Sequence, residues 1–133
     1  CIAENSISDK DIFKPKIIKI DSMGNIDWLK TYPSNSAGYH RFNSSSTSNG
    51  DIIITGSSIK SLSIGYRSDA FITRINNRGE ILWSRPYGSS DEDDWGWAIT
   101  EKPNGDLIMV GSTKSFNSSL FDILLIKTDS NGN

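Results

Sequence analysis

Short apolar runs separated by clusters of Gly, Asn, Asp and Ser recur along the whole chain. PKIIKID (15–21), DIIITGS (51–57), DAFITRIN (69–76), DLIMVGS (106–112) and DILLIKTD (122–129) are rich in β-branched residues and too short for packed helices. GNIDWLKTY (24–32) and GEILWSRPYG (79–88) alternate, which places Ile26 with Trp28 and Ile81 with Trp83 on one strand face. WGWAITEKP (95–103) reads as a strand. Its counterpart HRFNSSSTS (40–48) has lost most of its apolar residues and is expected at an exposed edge or irregular. No run keeps a 3.6-residue period for about ten positions, so the pattern predicts nine strands and no helix.

The pattern repeats. Gly24 to Gly79, Trp28 to Trp83, Gly50-Asp51 to Gly105-Asp106 and Gly56-Ser57 to Gly111-Ser112 are each 55 residues apart. The third copy comes 53 residues on, Asp69 to Asp122 and Gly79 to Gly132, because the loop SIKSLSIGYRS (58–68) is two residues longer than TKSFNSSLF (113–121). The chain therefore divides into an N-terminal tether (1–10), repeat 1 (11–68), repeat 2 (69–121) and the start of a third repeat (122–133). The glycines of DSMGN, NNRGE and DSNGN suit a type I turn with a bulge, which needs a residue at positive φ. The leading Asp or Asn can accept hydrogen bonds from its own turn.

Four antiparallel strands in about 50 residues, repeated in tandem, make the unit of a β-propeller. The expected fold class is all-β: two four-stranded blades plus one extra strand, part of a larger or assembled propeller. DAFITRINNRGEILWSRPYG, GDLIMVGSTKS and DILLIKTDSNGN resemble the extracellular β-propeller repeat proteins of many bacteria and archaea, with D-x-x-x-x-K-x-D-x-x-G-N-x-x-W-x-x-x-Y-G, then a G-D-x-I-x-x-G-S-T strand, as the shared pattern. The resemblance covers residues 11–133 and implies an exported surface protein more than any activity. Gly24–Trp28 and Gly79–Trp83 also carry G-x-x-x-W, which is similar to the tryptophan-docking motif of quinoprotein dehydrogenase propellers. That similarity implies packing between blades for Trp28 and Trp83. It does not bring the quinone cofactor with it.

Composition narrows the partners. Fourteen basic and 16 acidic residues give a formal net charge of -2, which offers no electrostatic case for nucleic acid. The single cysteine is Cys1, so no disulfide within the chain and no cysteine zinc site can form. A cysteine first, followed by small residues and a polar tether, looks like a bacterial or archaeal lipoprotein after signal-peptide removal. Membrane contact is then expected through lipid on Cys1 alone.

Candidate chemistry is sparse. The acid run at 91–94 could offer oxygens to calcium through Asp91, Asp93 and Asp94, but four consecutive acids lack the alternation of a calcium loop, and a solvated turn fits better. No cofactor motif is present. His40, the one histidine, reads as an exposed loop residue. Trp95, Trp97, Tyr87 and Phe42 suit an aromatic surface for glycans, with blade packing the plainer role, above all for Trp97. Asn43 and Asn117 begin N-x-S triplets, the pattern of glycosylation acceptors.

The expected function is a non-enzymatic binding or scaffold module for a protein or glycan at the cell surface. The alternatives are a piece of a propeller enzyme, quinone-dependent or glycan-active, and a self-assembling surface protein. An enzyme of this shape gathers polar groups at its central channel. The strands expected nearest such a channel, DIIITGS and DLIMVGS, carry no acid–base pair. Two-odd blades cannot close a ring, so either further repeats follow Asn133 or copies pair through blade edges. The first is favoured, because the chain stops at a turn that elsewhere runs straight into its tryptophan strand.

Overall fold

The computed structural model describes residues 15–32, 38–62, 65–89, 92–115 and 120–133. Cys1, the tether, Asp91 and Asn117 lie outside them. The described residues form nine strands and no helix. They are β1 (Lys16–Ile20), β2 (Ile26–Thr31), β3 (Gly38–Ser46), β4 (Ile52–Leu62), β5 (Gly65–Ile75), β6 (Ile81–Tyr87), β7 (Asp94–Glu101), β8 (Leu107–Thr113) and β9 (Asp122–Thr128). Every pairing is antiparallel between chain neighbours. No described helix is long and apolar enough to cross a membrane.

The strands group as two, four and three: β1-β2, β3-β4-β5-β6 and β7-β8-β9. This corrects the expected partition into two four-stranded sheets plus one strand. The 55-residue repeat is real in sequence, but the sheets are cut two strands out of phase with it. Ladders continue through the tight turns and break at the β2–β3 and β6–β7 connections. The sheets are open; no ring closes.

Turn chemistry explains the hairpins. Asp21, Asn76 and Asp129 open three five-residue turns of one design. In each, the Oδ1 of the first residue accepts the backbone N–H of the third and the fifth at 2.8–3.0 Å. Gly24, Gly79 and Gly132 occupy the fourth position at φ 88, 73 and 79°. A side chain there meets its own carbonyl, which is why glycine stands at all three.

The four-stranded sheet is the middle layer, and β5, one of its two central strands, is buried on both faces. On one side Ile53, Ala70 and Ile72 pack with Ile99, Leu107, Met109 and Leu124 of the three-stranded sheet. On the other, Ile54, Phe71 and Ile75 pack with Ile17 and the half-buried Trp28 and Tyr32 of the two-stranded sheet. A strand covered on both faces needs an apolar run instead of strict alternation, and DAFITRI supplies one. Burying a large aliphatic chain stabilises by about 1.5–3 kcal/mol, so these two clusters are the main source of cohesion between the layers.

β3 is an exposed edge strand of nine residues, with a bulge at Arg41, which sits at φ 53°. Two further expectations change. His40 pairs with Ser57 inside this strand and is not a loop residue; its side chain lies outside the described residues. The supposed loop 58–68 is mostly ladder: β4 and β5 pair from Ile59–Ser68 out to Leu62–Gly65. Tyr66, paired with Ser61 near the end of this hairpin, is 68% exposed.

Candidate functional site

Two arrangements stand out, and both join one sheet to the next. The first is a clasp formed twice. Trp28 on β2 donates its indole Nε1–H to the Asn77 carbonyl at 3.0 Å, and Tyr32 donates its hydroxyl to the Gly79 carbonyl at 2.8 Å. One repeat later, Trp83 on β6 donates to the Ser130 carbonyl at 3.2 Å and Tyr87 to the Gly132 carbonyl at 2.8 Å. A Cβ on Gly79 would lie 2.9 Å from the Trp28 ring, and one on Gly132 would lie 2.9 Å from the Trp83 ring. The glycines thus serve the turn and also leave room for the indole. Arg74, buried between the same layers, adds a hydrogen bond to the Ser130 carbonyl at 3.1 Å and an ion pair with Asp51 at 2.9 Å.

Ionisation of these parts has a direction. Hydrogen bonds from Asn25 hold the Asp21 carboxyl below its ordinary value, and those from Asn133 do the same for Asp129. The hydrogen bond from Lys127 lowers Asp106. Burial raises the phenols of Tyr32 and Tyr87. Lowered carboxyls contribute stability that is present above their unfolded value of 3.8 and lost as pH falls through the folded value. Raised phenols contribute stability present below their unfolded value of 10.0 and lost as pH rises through the folded value. Thermal unfolding scanned across pH is therefore expected to show a plateau with a decline on each side. The acid limb comes from the turns and the alkaline limb from the clasps.

The second arrangement is a cleft of about 380 Å³ at the other end of the same junction, lined by Arg41, Ser57, Ile59, Tyr66, Ser68, Asp93 and Trp95. The edge bulge turns the Arg41 guanidinium over the Trp95 ring, 5.7 Å from its centroid. Trp95 stacks on Phe121 at 4.5 Å, and Lys114 lies 4.5 Å from the Phe121 ring on a third level. Asp93 accepts the Ser68 backbone N–H at 2.9 Å and so ties the three-stranded sheet to the long hairpin. Tyr66, 68% exposed, stands at the rim. Gly56 and Gly111 make room for the bulges of the paired strands β3 and β7, since a Cβ there would run into the carbonyls of Arg41 and Trp95.

The acid run does not act as a unit. Asp93 faces the cleft, whereas Asp94 is fully buried beneath its own sheet. There it accepts the Ser115 hydroxyl at 2.6 Å and the Ser89 backbone N–H at 3.0 Å. Asp94 Oδ1 has no donor among the described residues. Among these residues no three acids or histidines converge as a metal cluster would. Asp94 instead fastens the β6–β7 connection to the end of β8. Asp94→Ala is expected to cost about 1–3 kcal/mol, since the Ser115 hydroxyl loses its buried acceptor. A urea denaturation curve measures it.

The aromatic candidates separate. Tyr87 belongs to a clasp and Trp95 to the cleft. Trp97, expected inside, is 49% exposed in the β7 bulge. Phe42 is 40% exposed and meets Phe71 edge to face at 6.2 Å. Asn43 lies exposed on β3, paired with Thr55. The strands expected nearest a channel, β4 and β8, are second in their sheets, with β3 and β7 outside them. Sequence reasoning passed over Arg41 and Tyr66; Tyr32 belongs to the repeated Trp-x-x-x-Tyr spacing, at 28–32 and again at 83–87, whose role the sequence did not show.

Compared with known proteins, the chain matches no family model and no curated sequence.

Proposed function

We propose that the chain is a run of consecutive β-propeller blades forming a non-enzymatic surface module, and that it binds saccharide in the cleft between the second and third sheets. The blade reading is supported by the clasp, which joins each sheet to the next in the same way twice. The binding reading is carried by the cleft. Tyr66 presents exposed ring surface suited to the C–H face of a sugar, and Arg41, Asp93, Ser68 and the stacked Trp95 line the cleft around it. Asp93 is the carboxylate among the lining residues. Hydrolysis of a glycosidic bond calls for a second one across from it. We further propose an exported, lipid-anchored location, tested by the mass of the native N-terminal peptide, which is expected to carry acyl chains on Cys1.

The cleft is tested by titrating the isotope-labelled protein with neutral and acidic oligosaccharides. The expected result is movement of the Trp95 indole resonance with those of Trp28 and Trp83 still, abolished in Trp95→Ala, and no new reducing ends. A panel that leaves Trp95 unmoved, or turnover of any member, rejects this reading.

A further inference from the structure

The turn Asp21–Asn25 has the same internal hydrogen bonds as the turns at Asn76 and Asp129. Its surroundings differ. Gly79 and Gly132 are buried under Trp28 and Trp83, while Gly24 is exposed and a Cβ built on it meets nothing within 4 Å. The repeat equivalents of Ile20 are Ile75 and Thr128. Ile20 is 56% exposed, whereas Ile75 is 0% and Thr128 4% exposed. The cation at the equivalent strand position tells the same story. Arg74 and Lys127 pair at 2.9 and 2.8 Å with Asp51 and Asp106, each in the Asn-Gly-Asp turn of its own sheet. Lys19 has no such turn beside it among the described residues and pairs with Asp27 at 3.2 Å. Three independent positions therefore register the same difference around β1-β2.

We propose that the outer face of β1-β2 is a docking surface for one further repeat unit of this type. The unit would place a hairpin with an Asn-Gly-Asp turn along the edge of β1 that no described strand pairs, its Asp reaching Lys19. It would also lay a Trp-x-x-x-Tyr strand over the Asp21–Asn25 turn. The occupant is set by repetition: the same acceptors, the carbonyls of the second and fourth turn residues, take Trp and Tyr at both other turns. Here they are the carbonyls of Ser22 and Gly24. Donors four positions apart, as in Trp-x-x-x-Tyr, reach both. The chain's own Trp28 and Trp83 are already engaged, so a second intact copy does not supply the strand without opening a clasp. This inference rests on the serial packing of the sheets and is independent of the cleft.

The test joins two copies in register, residues 1–122 followed by residues 15–133, so that Ile123 of the first is replaced by its repeat equivalent Pro15. Trp83 of the first copy then faces Ser22 of the second. In the single chain, Gly24→Ala is expected to shift the Tm much less than Gly79→Ala. In the tandem chain, Gly24→Ala in the second copy is expected to shift it as much as Gly79→Ala does. If it stays mild in the tandem chain, the dock is overturned. If Gly79→Ala is as mild as Gly24→Ala in the single chain, the clasp reading itself fails, which is a separate result. A second measurement uses the chain as it is, titrated with the peptide GEILWSRPYG (79–88) and followed by backbone amide shifts. Shifts confined to Met23, Gly24 and Asn25 support the dock. Equal shifts at all three turns, or none, overturn it.

Discussion

Replacing Trp83 with alanine is expected to destabilise the protein by about 3 kcal/mol, the low end for a large aromatic because the ring is only half buried. The ring packs against the first core cluster and covers Gly132, so its removal opens the junction between the second and third sheets. Trp83→Phe separates the parts of the effect. It keeps an aromatic body and removes the indole donor to Ser130, which is worth about 1 kcal/mol. Tyr87→Phe, which removes only the hydroxyl bond to Gly132, is expected to cost a similar amount. Chemical denaturation followed by far-ultraviolet circular dichroism measures all three. A Trp83→Ala protein as stable as the wild type would show that the clasp is incidental to how the layers hold together.

Ile72→Ala and Leu125→Ala form the second comparison. The two residues occupy the same repeat position, 53 apart, in β5 and β9. Ile72 is 0% exposed because its strand lies in the middle layer, while Leu125 is 67% exposed because no described sheet covers that face of β9. Truncating Ile72 is expected to cost about 2–5 kcal/mol through lost contacts and the cavity left behind. Truncating Leu125 is expected to stay within about 0.5 kcal/mol, as at other surface positions. The measurement is the denaturation midpoint of each variant at constant slope. Equal costs would mean that position in the repeat, and not position in the stack of sheets, governs burial.

That contrast marks where the sequence is legible. The strands, the hairpin turns and the positive-φ glycines follow from local rules: alternation, Asx chemistry and the absence of a Cβ. They act over a few residues, so a single chain displays them. Trp28 and Trp83 were readable as equivalent by spacing, though nothing in the spacing showed that their acceptors are carbonyls of the following turn. Arg41 and Tyr66 left no mark. Arg41 matters because a bulge rotates it over Trp95, and Tyr66 because a supposed loop zips up as ladder. Both are outcomes of pairing register between distant segments. The acid run, read as a solvated turn, differs for the same reason: Asp93, just before β7, lines the cleft, while Asp94, its first residue, is buried.

By itself, then, the sequence determined an all-β chain, the nine strands of the described residues, the turns that link them and the period on which they repeat, because strands and turns follow local backbone preferences and the period is written in the order of residues. Only the tertiary structure decided that the sheets are cut as two, four and three strands, that β5 is buried on both faces, and that Trp-x-x-x-Tyr closes one sheet upon the next. Those features depend on which surfaces meet, and the meeting is set by packing between residues about 50 positions apart, which no local pattern encodes.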